Sequence, residues 1–373
     1  FYFGRYDLGP TPDPGPTRGF TSDNGDSFEL DDEATLEDSS GEDYDADENV
    51  IAGYIMTTHD VGRLRVIPGL RVEYTDLAYQ GTVLDFNTDG DLDRVTEVSA
   101  SDDYTDFLPG INLRYELTDR TNLRAAATRS LSRPDHFDIV PYAIVNREDD
   151  ELELGNPELL PTRSWNFDLL ADHYFSSVGV VTAGVFYKDL TDYIFVNRFE
   201  QESGALAGFE VTQPQNAGSG SVFGLEFGLQ QQLTMLPGFF AGFGLGGNVV
   251  WTTSDATIPG REDEDLELPG QSEFAGNAYL SYEKYGFQGR LVLNFHDDFL
   301  YEVGEDPAED TFYRKHVQLD LSAAQRIAGR WQIFLEMVNL TDEPLVVYQG
   351  DRSKPIQQEY YSWWGHLGIK YSL

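Results

Sequence analysis

Residues 360–373, YYSWWGHLGIKYSL, end the sequence and alternate apolar with polar side chains. Leu367 and Ile369 fall on one side of this alternation, and His366 and Lys370 fall on the other. A period of two indicates a β-strand with one apolar face. An edge strand of a soluble sandwich can end in the same way, so the rest of the chain has to decide the fold.

The chain has 373 residues, no Cys and a net charge of −40. This length suits two ordinary domains or one large β-barrel. The absence of Cys excludes disulfides, and the strong negative charge argues against a nucleic-acid partner. No run of about 18 apolar residues predicts a membrane helix. Because the sequence begins at Phe1 without a secretory signal, we expect a mature or truncated product.

The first 48 residues differ in composition from the rest. They are rich in Pro, Gly and acid, and residues 23–48 contain thirteen carboxylates and no Lys or Arg. Such a run cannot bury a core and predicts a solvated segment. We therefore divide the chain into an acidic extracellular loop segment, residues 1–48, and a β-barrel region, residues 49–373.

The barrel region repeats the alternation many times. Phe223, Leu225 and Phe227, for example, interleave with Gly224 and Glu226. The pattern predicts thirteen strands: 49–59, 64–77, 103–118, 122–131, 162–175, 179–190, 219–233, 239–252, 272–283, 287–301, 312–326, 331–340 and 359–373.

The connections between these strands alternate in length. The short ones are 60–63, 119–121, 176–178, 234–238, 284–286 and 327–330. The long ones are 78–102, 132–161, 191–218, 253–271, 302–311 and 341–358. Outer-membrane barrels have short periplasmic turns and long extracellular loops, whereas a soluble sandwich has no reason for this asymmetry. The sequence therefore predicts an all-β fold, a transmembrane antiparallel β-barrel in the outer membrane of a Gram-negative cell.

A membrane barrel requires one face toward lipid and one toward the lumen. We expect lipid contact for Leu225, Phe227, Leu319, Leu321, Leu367 and Ile369. We expect the lumen to be lined by Glu226, Gln230, Asp320 and His366. The predicted strands also run to about 10–15 residues, and a tilted strand needs about 9–11 to cross hydrocarbon.

The final residues resemble the C-terminal signal by which barrel proteins are recognised during insertion. Its pattern is carried by His366, Gly368, Tyr371 and Leu373. This resemblance implies that the barrel assembly machinery is a partner, through Tyr371 and Leu373. Bacterial single-chain barrels have even strand numbers, so an odd count of thirteen predicts the C-terminal part of a larger barrel.

Six stretches resemble the C-terminal half of TonB-dependent outer-membrane receptors, and together they cover most of residues 103–373. They are NLRAAATRSLSRPDHFDIVPY (122–142), GNPELLPTRSWNFDLLADHYF (155–175), GVFYKDLTDYI (184–194), NAGSGSVFGLEFGLQQQL (216–233), VNLTDEP (338–344) and GIKYSL (368–373).

The resemblance implies a barrel of about 22 strands with an N-terminal plug, of which the last thirteen are present here. Such receptors bind a scarce nutrient, of the siderophore, cobalamin or oligosaccharide type, and import it with energy passed through the TonB complex. The sequence departs from the family in lacking the plug and the TonB box. Expected partners are a small-molecule ligand, outer-membrane lipid and lipopolysaccharide, and the TonB complex through the missing plug. Acidic loops favour neutral, cationic or metal-neutralised ligands slightly.

One acidic stretch fits the start of an EF-hand loop. Its oxygens belong to Asp85, Asn87, Asp89, Asp91 and Asp93, with Asp91 contributing its carbonyl. Gly90 permits the sharp turn of such a loop, but Thr96 stands where the bidentate Glu belongs. The sequence therefore fits either a weak calcium site or an acidic hairpin turn. No other cofactor is expected.

No catalytic set is recognisable, and we expect the protein not to be an enzyme. Its six His residues are scattered without metal-ligand spacing. Two alternative functions stay open at this point: a passive outer-membrane porin and a β-rich surface protein that binds a ligand.

Overall fold

The computed structural model describes residues 43–371 apart from 176–177, 217, 305 and 328, together with residues 19–20, 23–24 and 40. The acidic segment 1–48 and Leu373 therefore lie largely or wholly outside the described residues. Within the described part of the chain, no helix is long and apolar enough to cross a membrane.

The described residues form 22 strands and almost no helix. In chain order the strands are β1 Asp45–Met56, β2 His59–Val61, β3 Leu64–Phe86, β4 Leu92–Thr118, β5 Thr121–Ser132, β6 Ala143–Asn146, β7 Glu151–Leu154, β8 Thr162–Tyr174, β9 Gly179–Thr191, β10 Ile194–Glu200, β11 Glu210–Asn216, β12 Ser219–Gln232, β13 Phe243–Thr257, β14 Phe274–Lys284, β15 Phe287–His296, β16 Phe299–Glu302, β17 Thr311–Tyr313, β18 His316–Ile327, β19 Trp331–Val338, β20 Leu345–Gln349, β21 Pro355–Glu359 and β22 Trp364–Tyr371.

Thirteen of these strands form one antiparallel path in which each pairs with the next: β1, β3, β4, β5, β8, β9, β12, β13, β14, β15, β18, β19 and β22. They correspond one to one with the thirteen predicted strands. The first begins at Asp45, four residues before the predicted start of the barrel region.

The register assigns each side chain to one of two faces. Leu319 lies opposite Leu293 and Leu321 opposite Leu291, while Gln318 lies opposite Asn294. We call the first face the apolar face and the second the polar face. All six side chains predicted to contact lipid lie on the apolar face, and the four predicted to line the lumen lie on the polar face. Leu367 is 76% exposed on the apolar face, as expected of a side chain whose solvent is lipid.

The short connections all lie at one end of the sheet, which we call the turn end. Between β14 and β15, Tyr285 and Gly286 both have positive φ values of 56° and 76°, the conformation of a type I′ hairpin. One predicted turn was too short. The connection after β12 includes a 3-10 helix at Gly238–Gly242, so β13 begins at Phe243 instead of residue 239. The Phe239 ring packs 4.7 Å from that of Tyr282 and holds this longer turn against the sheet.

The long connections lie at the opposite end, the loop end, and they are more ordered than predicted. Residues 78–102 are not a loop, because β3 and β4 continue to Phe86 and from Leu92. Other connections contain the hairpins β6–β7, β10–β11 and β20–β21. Parallel pairing of β3 with β6 and of β11 with β7 joins the first two of these hairpins into one layer, whereas β20–β21 pairs with β17 in a separate four-stranded sheet.

The hydrophobic core lies in this loop-end layer. One cluster packs Leu77 and Tyr79 of β3 against Ile139 and Val140, and the others join the β6–β7 and β10–β11 hairpins to neighbouring loops. The long strands place apolar side chains outward and polar ones inward, so they have no apolar interior to fill. Among the described residues, the buried apolar side chains that exclude water as in a soluble domain lie at the loop end.

Candidate functional site

A cavity of about 570 Å³ opens within the loop-end layer. The β10–β11 hairpin forms one wall, residues 258–261 form the second, and residues 303–304 complete it. Phe195 and Phe199 supply aromatic surface, and Arg198 supplies a cation. Glu200 and Glu210 also line the cavity, so its walls are more polar than those of the usual, largely apolar ligand site.

A second cavity of about 230 Å³ adjoins the first and shares Arg198 with it. Tyr193 and Tyr301 line this second space, and burial raises the pKa of Tyr193. A guanidinium beside aromatic rings can donate paired hydrogen bonds to a planar anionic group and stack on a flat one. The two cavities together are therefore suited to a small molecule with aromatic or carboxylate parts.

The wall at residues 258–261 is fixed by Arg261. Its guanidinium donates to Asp310 Oδ2 at 3.1 Å and to the Gly304 carbonyl at 3.2 Å, and it also binds the carboxylate of Glu264. The hydrogen bond to Glu264 is the main cause of a raised pKa of Arg261, followed by the hydrogen bond to Asp310. The hydrogen bond between Arg261 and Glu264 also lowers the pKa of Glu264. Arg261 thereby joins two loops, residues 258–264 and 304–310, both of which contribute to the cavity lining.

Gly155 and Asn156 join three segments of the loop-end layer. A Cβ on Gly155 would collide with the Val140 carbonyl and lie 2.9 Å from the Tyr142 ring, so only Gly fits there. The Asn156 side-chain amide donates a hydrogen bond of 3.0 Å to the Pro214 carbonyl. The GNPEL stretch is therefore a structural junction of the layer that forms the cavity.

The predicted calcium ligands lie at the β3–β4 hairpin tip, where oxygens of three of the five residues, Asp85, Asn87 and Asp91, already accept hydrogen bonds. Arg147 binds Asp85 through two contacts of 3.0 and 3.2 Å. Asn87 Oδ1 accepts the N–H groups of Asp89 at 2.8 Å and Asp91 at 3.1 Å.

The Asp91 carbonyl accepts the Asn87 N–H at 2.9 Å, which closes the turn. Gly90 has a φ of 84°, as a tight hairpin tip requires. Among the described residues, no cluster of three or more His, Asp or Glu is arranged to hold a metal ion. The geometry is that of an acidic turn stabilised from within, and calcium binding stays a prediction.

The register brings together two of the histidines that the sequence spacing left apart. His296 lies directly opposite His316 on the polar face. No signal in the sequence pairs them, since their contact depends on the alignment of β15 with β18. Ser130 of β5 has a structural contact, since its Oγ accepts a hydrogen bond from Asn166 at 3.0 Å.

Comparison with known proteins is consistent with this geometry. A family model described as "TonB dependent receptor-like, beta-barrel" matches residues 2–340. A search of curated proteins gave no match.

Solved structures with the same fold include three import proteins. The copper transporter OprC is 16% identical with a TM-score of 0.63, over 88% of this chain and 49% of that one. The ferric-catecholate import receptor Fiu from K12 E. coli is 12% identical with a TM-score of 0.64, over 88% and 45%. The ferric citrate transporter FecA is 15% identical with a TM-score of 0.58, over 88% and 45%. The chain thus spans about half the length of these structures, and the likeness establishes a transmembrane β-barrel fold.

Proposed function

The chain belongs to the TonB-dependent receptor β-barrel family, and from this premise we propose that it serves in the uptake of a scarce small-molecule nutrient. The family consists of transport receptors of the Gram-negative outer membrane and not of enzymes. In the proposal, the loop end faces the outside and the turn end faces the periplasm. A siderophore, cobalamin or an oligosaccharide is the class of ligand we propose.

The observation that carries the proposal is the position of the cavity. It lies at the loop end of the two-faced sheet, the end that the proposal assigns to the outside, so an arriving ligand would meet it first. The solved structures with the same fold are named for copper, ferric catecholate and ferric citrate. These names support a metal chelate as the first ligand to test, since Arg198 offers an anion contact within the cavity.

Uptake by cells provides the test. A strain that lacks the gene for this chain is supplied with labelled ferric siderophores, cobalamin or maltodextrins, with and without a protonophore. We expect uptake of one class to need the gene and to stop when the protonophore collapses the proton gradient. Uptake that persists with the protonophore would indicate a passive porin and would contradict the proposal.

Arg198→Ala tests the cavity itself. A hydrogen bond to a charged group contributes about 1.5–3 kcal/mol, so loss of Arg198 should weaken ligand binding about tenfold or more. Arg120→Ala is the matched control, because Arg120 lies in the two-residue turn between β4 and β5 at the opposite end. Equal affinities of the two variants would place the ligand elsewhere.

We also propose that Tyr371 and Leu373 engage the barrel assembly machinery and that the acidic loop end meets lipopolysaccharide through divalent ions. The Tyr371 ring packs 4.7 Å from Trp331 at the turn end, while Leu373 lies outside the described residues. Replacing both residues by Ser should reduce the heat-modifiable form of the protein on gels. Normal assembly of this variant would contradict the first part of the proposal.

A further inference from the structure

His296 and His316 face each other at the loop end of the polar face. His296 is the last residue of β15 and His316 the first of β18, and the two are register partners. Their ring centroids are 5.8 Å apart, with planes inclined by 12°. Both side chains are partly exposed, so an ion in the lumen can reach them.

The contact of His296 fixes its tautomer. Nδ1 lies 2.8 Å from the carbonyl oxygen of Asp297. A carbonyl oxygen only accepts hydrogen bonds, so Nδ1 must carry the proton. The lone pair of the neutral ring is then on Nε2.

The tautomer of His316 is fixed through Gln318 and Asp320. His316 Nε2 lies 3.2 Å from Gln318 Oε1, and Gln318 Nε2 donates to Asp320 Oδ1 at 2.9 Å. Because a carboxylate only accepts, the amide nitrogen must point to Asp320 and the amide oxygen to His316. Nε2 of His316 therefore carries the proton, and its lone pair is on Nδ1.

Asp320 is itself held in place by the backbone of the NLTDE stretch. The N–H of Asn339 donates to Asp320 Oδ1 at 2.9 Å. Ring N–H groups that donate to carbonyl or carboxylate oxygens are the outer-shell arrangement found around histidines that bind metals. The structure thus provides two oriented imidazoles, each with one nitrogen available as a ligand.

We propose that His296 Nε2 and His316 Nδ1 together bind a divalent transition-metal cation such as Ni²⁺, Cu²⁺ or Zn²⁺. Directly opposed side chains on neighbouring strands have Cβ atoms about 4.5–5.5 Å apart, which puts both imidazoles within reach of one ion. Imidazole is a preferred ligand for these metals, at nitrogen–metal distances of about 2.0–2.1 Å for zinc.

Two further features favour the binding of a metal ion between His296 and His316. The partner of His296 on its other side is Ala275, whose methyl group leaves space for an ion and its waters. The net charge of −40 raises the concentration of cations near the protein. With two protein donors and water at the remaining positions, the site should bind more weakly than a closed four-ligand site.

Calorimetric titration of NiCl₂ into the folded, tag-free protein in detergent tests the pair. We expect His296→Ala and His316→Ala each to weaken nickel binding at least about tenfold. Gln318→Leu keeps both imidazoles but removes the acceptor that orients His316, and outer-shell changes of this kind cost about 10–100-fold in affinity. His173→Ala is the control, since His173 lies at the turn end, where it contacts Thr121. An unchanged affinity in the His296→Ala/His316→Ala double variant would overturn the proposal.

Electron paramagnetic resonance of bound Cu²⁺ supplies a second readout. We expect hyperfine coupling from two nitrogens in the wild type and from one in each single variant, in protein whose heat-modifiable mobility is unchanged. Coupling to a single nitrogen in the wild type would contradict a shared site. Neither measurement involves transport, so failure here leaves the proposed uptake function untouched.

Discussion

Arg261 and Asp310 form an ion pair across two loops, with side chains only 5% and 7% exposed. Asp310 is held further by the Gly304 N–H, which donates to Oδ1 at 2.9 Å. Removing one partner of a buried pair leaves the other charge without compensation, which is more damaging than removing both. The cavity walls thus depend on each charge being present.

Arg261→Gln should loosen both loops that this pair joins. Breaking a buried pair costs about 3–5 kcal/mol, and here the loss should appear as local opening. Hydrogen exchange of residues 258–266 and 303–311 is the measurement. Arg352→Gln is the control, because Arg352 is 67% exposed in its ion pair with Asp298, and exposed pairs contribute about 0–1 kcal/mol. Unchanged protection of both segments in Arg261→Gln would contradict the role of the pair.

The lowered pKa of Asp298 should make the stability of the loop end depend on pH. Burial alone would raise the pKa of Asp298, but hydrogen bonds from the Lys315 N–H, Tyr348 and Arg352 outweigh it and lower the pKa. A lowered pKa stabilises the fold at pH values above the ordinary 3.8, and this stability is lost as the pH falls through the folded-state pKa.

Thermal unfolding between about pH 2 and 6 measures this contribution. We expect Asp298→Asn to have a lower midpoint than the wild type at the upper end of this range, with the difference shrinking once the pH drops below 3.8. Asp297→Asn, one residue away, is the matched control. A difference that stays constant over this range would show that ionisation of Asp298 is not involved.

The apolar face predicts a dependence of stability on depth in the membrane. Leu321 lies near the middle of β18 and Leu319 nearer its loop end. Leu321→Arg should cost about 2–4 kcal/mol and Leu319→Arg less, since the penalty is greatest at the midplane. Ser322→Arg is the control, because Ser322 lies on the polar face opposite Glu336. Urea unfolding in lipid vesicles gives these free energies, and equal costs for all three would contradict the assignment of faces.

The long strands could be predicted from the sequence because alternation is a local property. The alternation within a single stretch, such as 219–233, is enough to identify a strand, and the apolar side of that strand must face an apolar environment. Because short turns and long loops alternate along the chain, their lengths also predict which end of each strand lies at the turn end and which at the loop end. The register confirms this interpretation, for example in the pairing of Leu321 with Leu291.

The loop-end layer could not be predicted in the same way, because its contacts join distant parts of the chain. Val83 pairs with Ala143 in a parallel ladder, and Arg261 finds Asp310 49 positions away. His296 and His316 are likewise brought together only by strand alignment. Periodicity reports which face a residue occupies but not which partner it meets.

The calcium prediction now depends on a competition for Asp85. Arg147 holds both carboxylate oxygens of Asp85, so a calcium ion at Asp85, Asn87, Asp89, Asp91 and Asp93 would have to displace it. Asn87 Oδ1 would also have to release the N–H groups of Asp89 and Asp91. We therefore expect the wild type to bind calcium no more tightly than about 1 mM, the weak end of extracellular calcium modules.

Arg147→Gln removes the guanidinium that competes with calcium for Asp85 and therefore tests the calcium prediction directly. A partly exposed ion pair contributes about 1 kcal/mol, so freeing Asp85 should tighten calcium binding about fivefold. Asp85→Ala combined with Asp89→Ala is the matched control, because it removes two ligands and should abolish the signal. Calorimetric titration of CaCl₂ into the three proteins compares them directly. If Arg147→Gln and the double variant gave the same heats, the stretch would be an acidic turn alone, with Gly90 at its tip and Asp85 paired with Arg147.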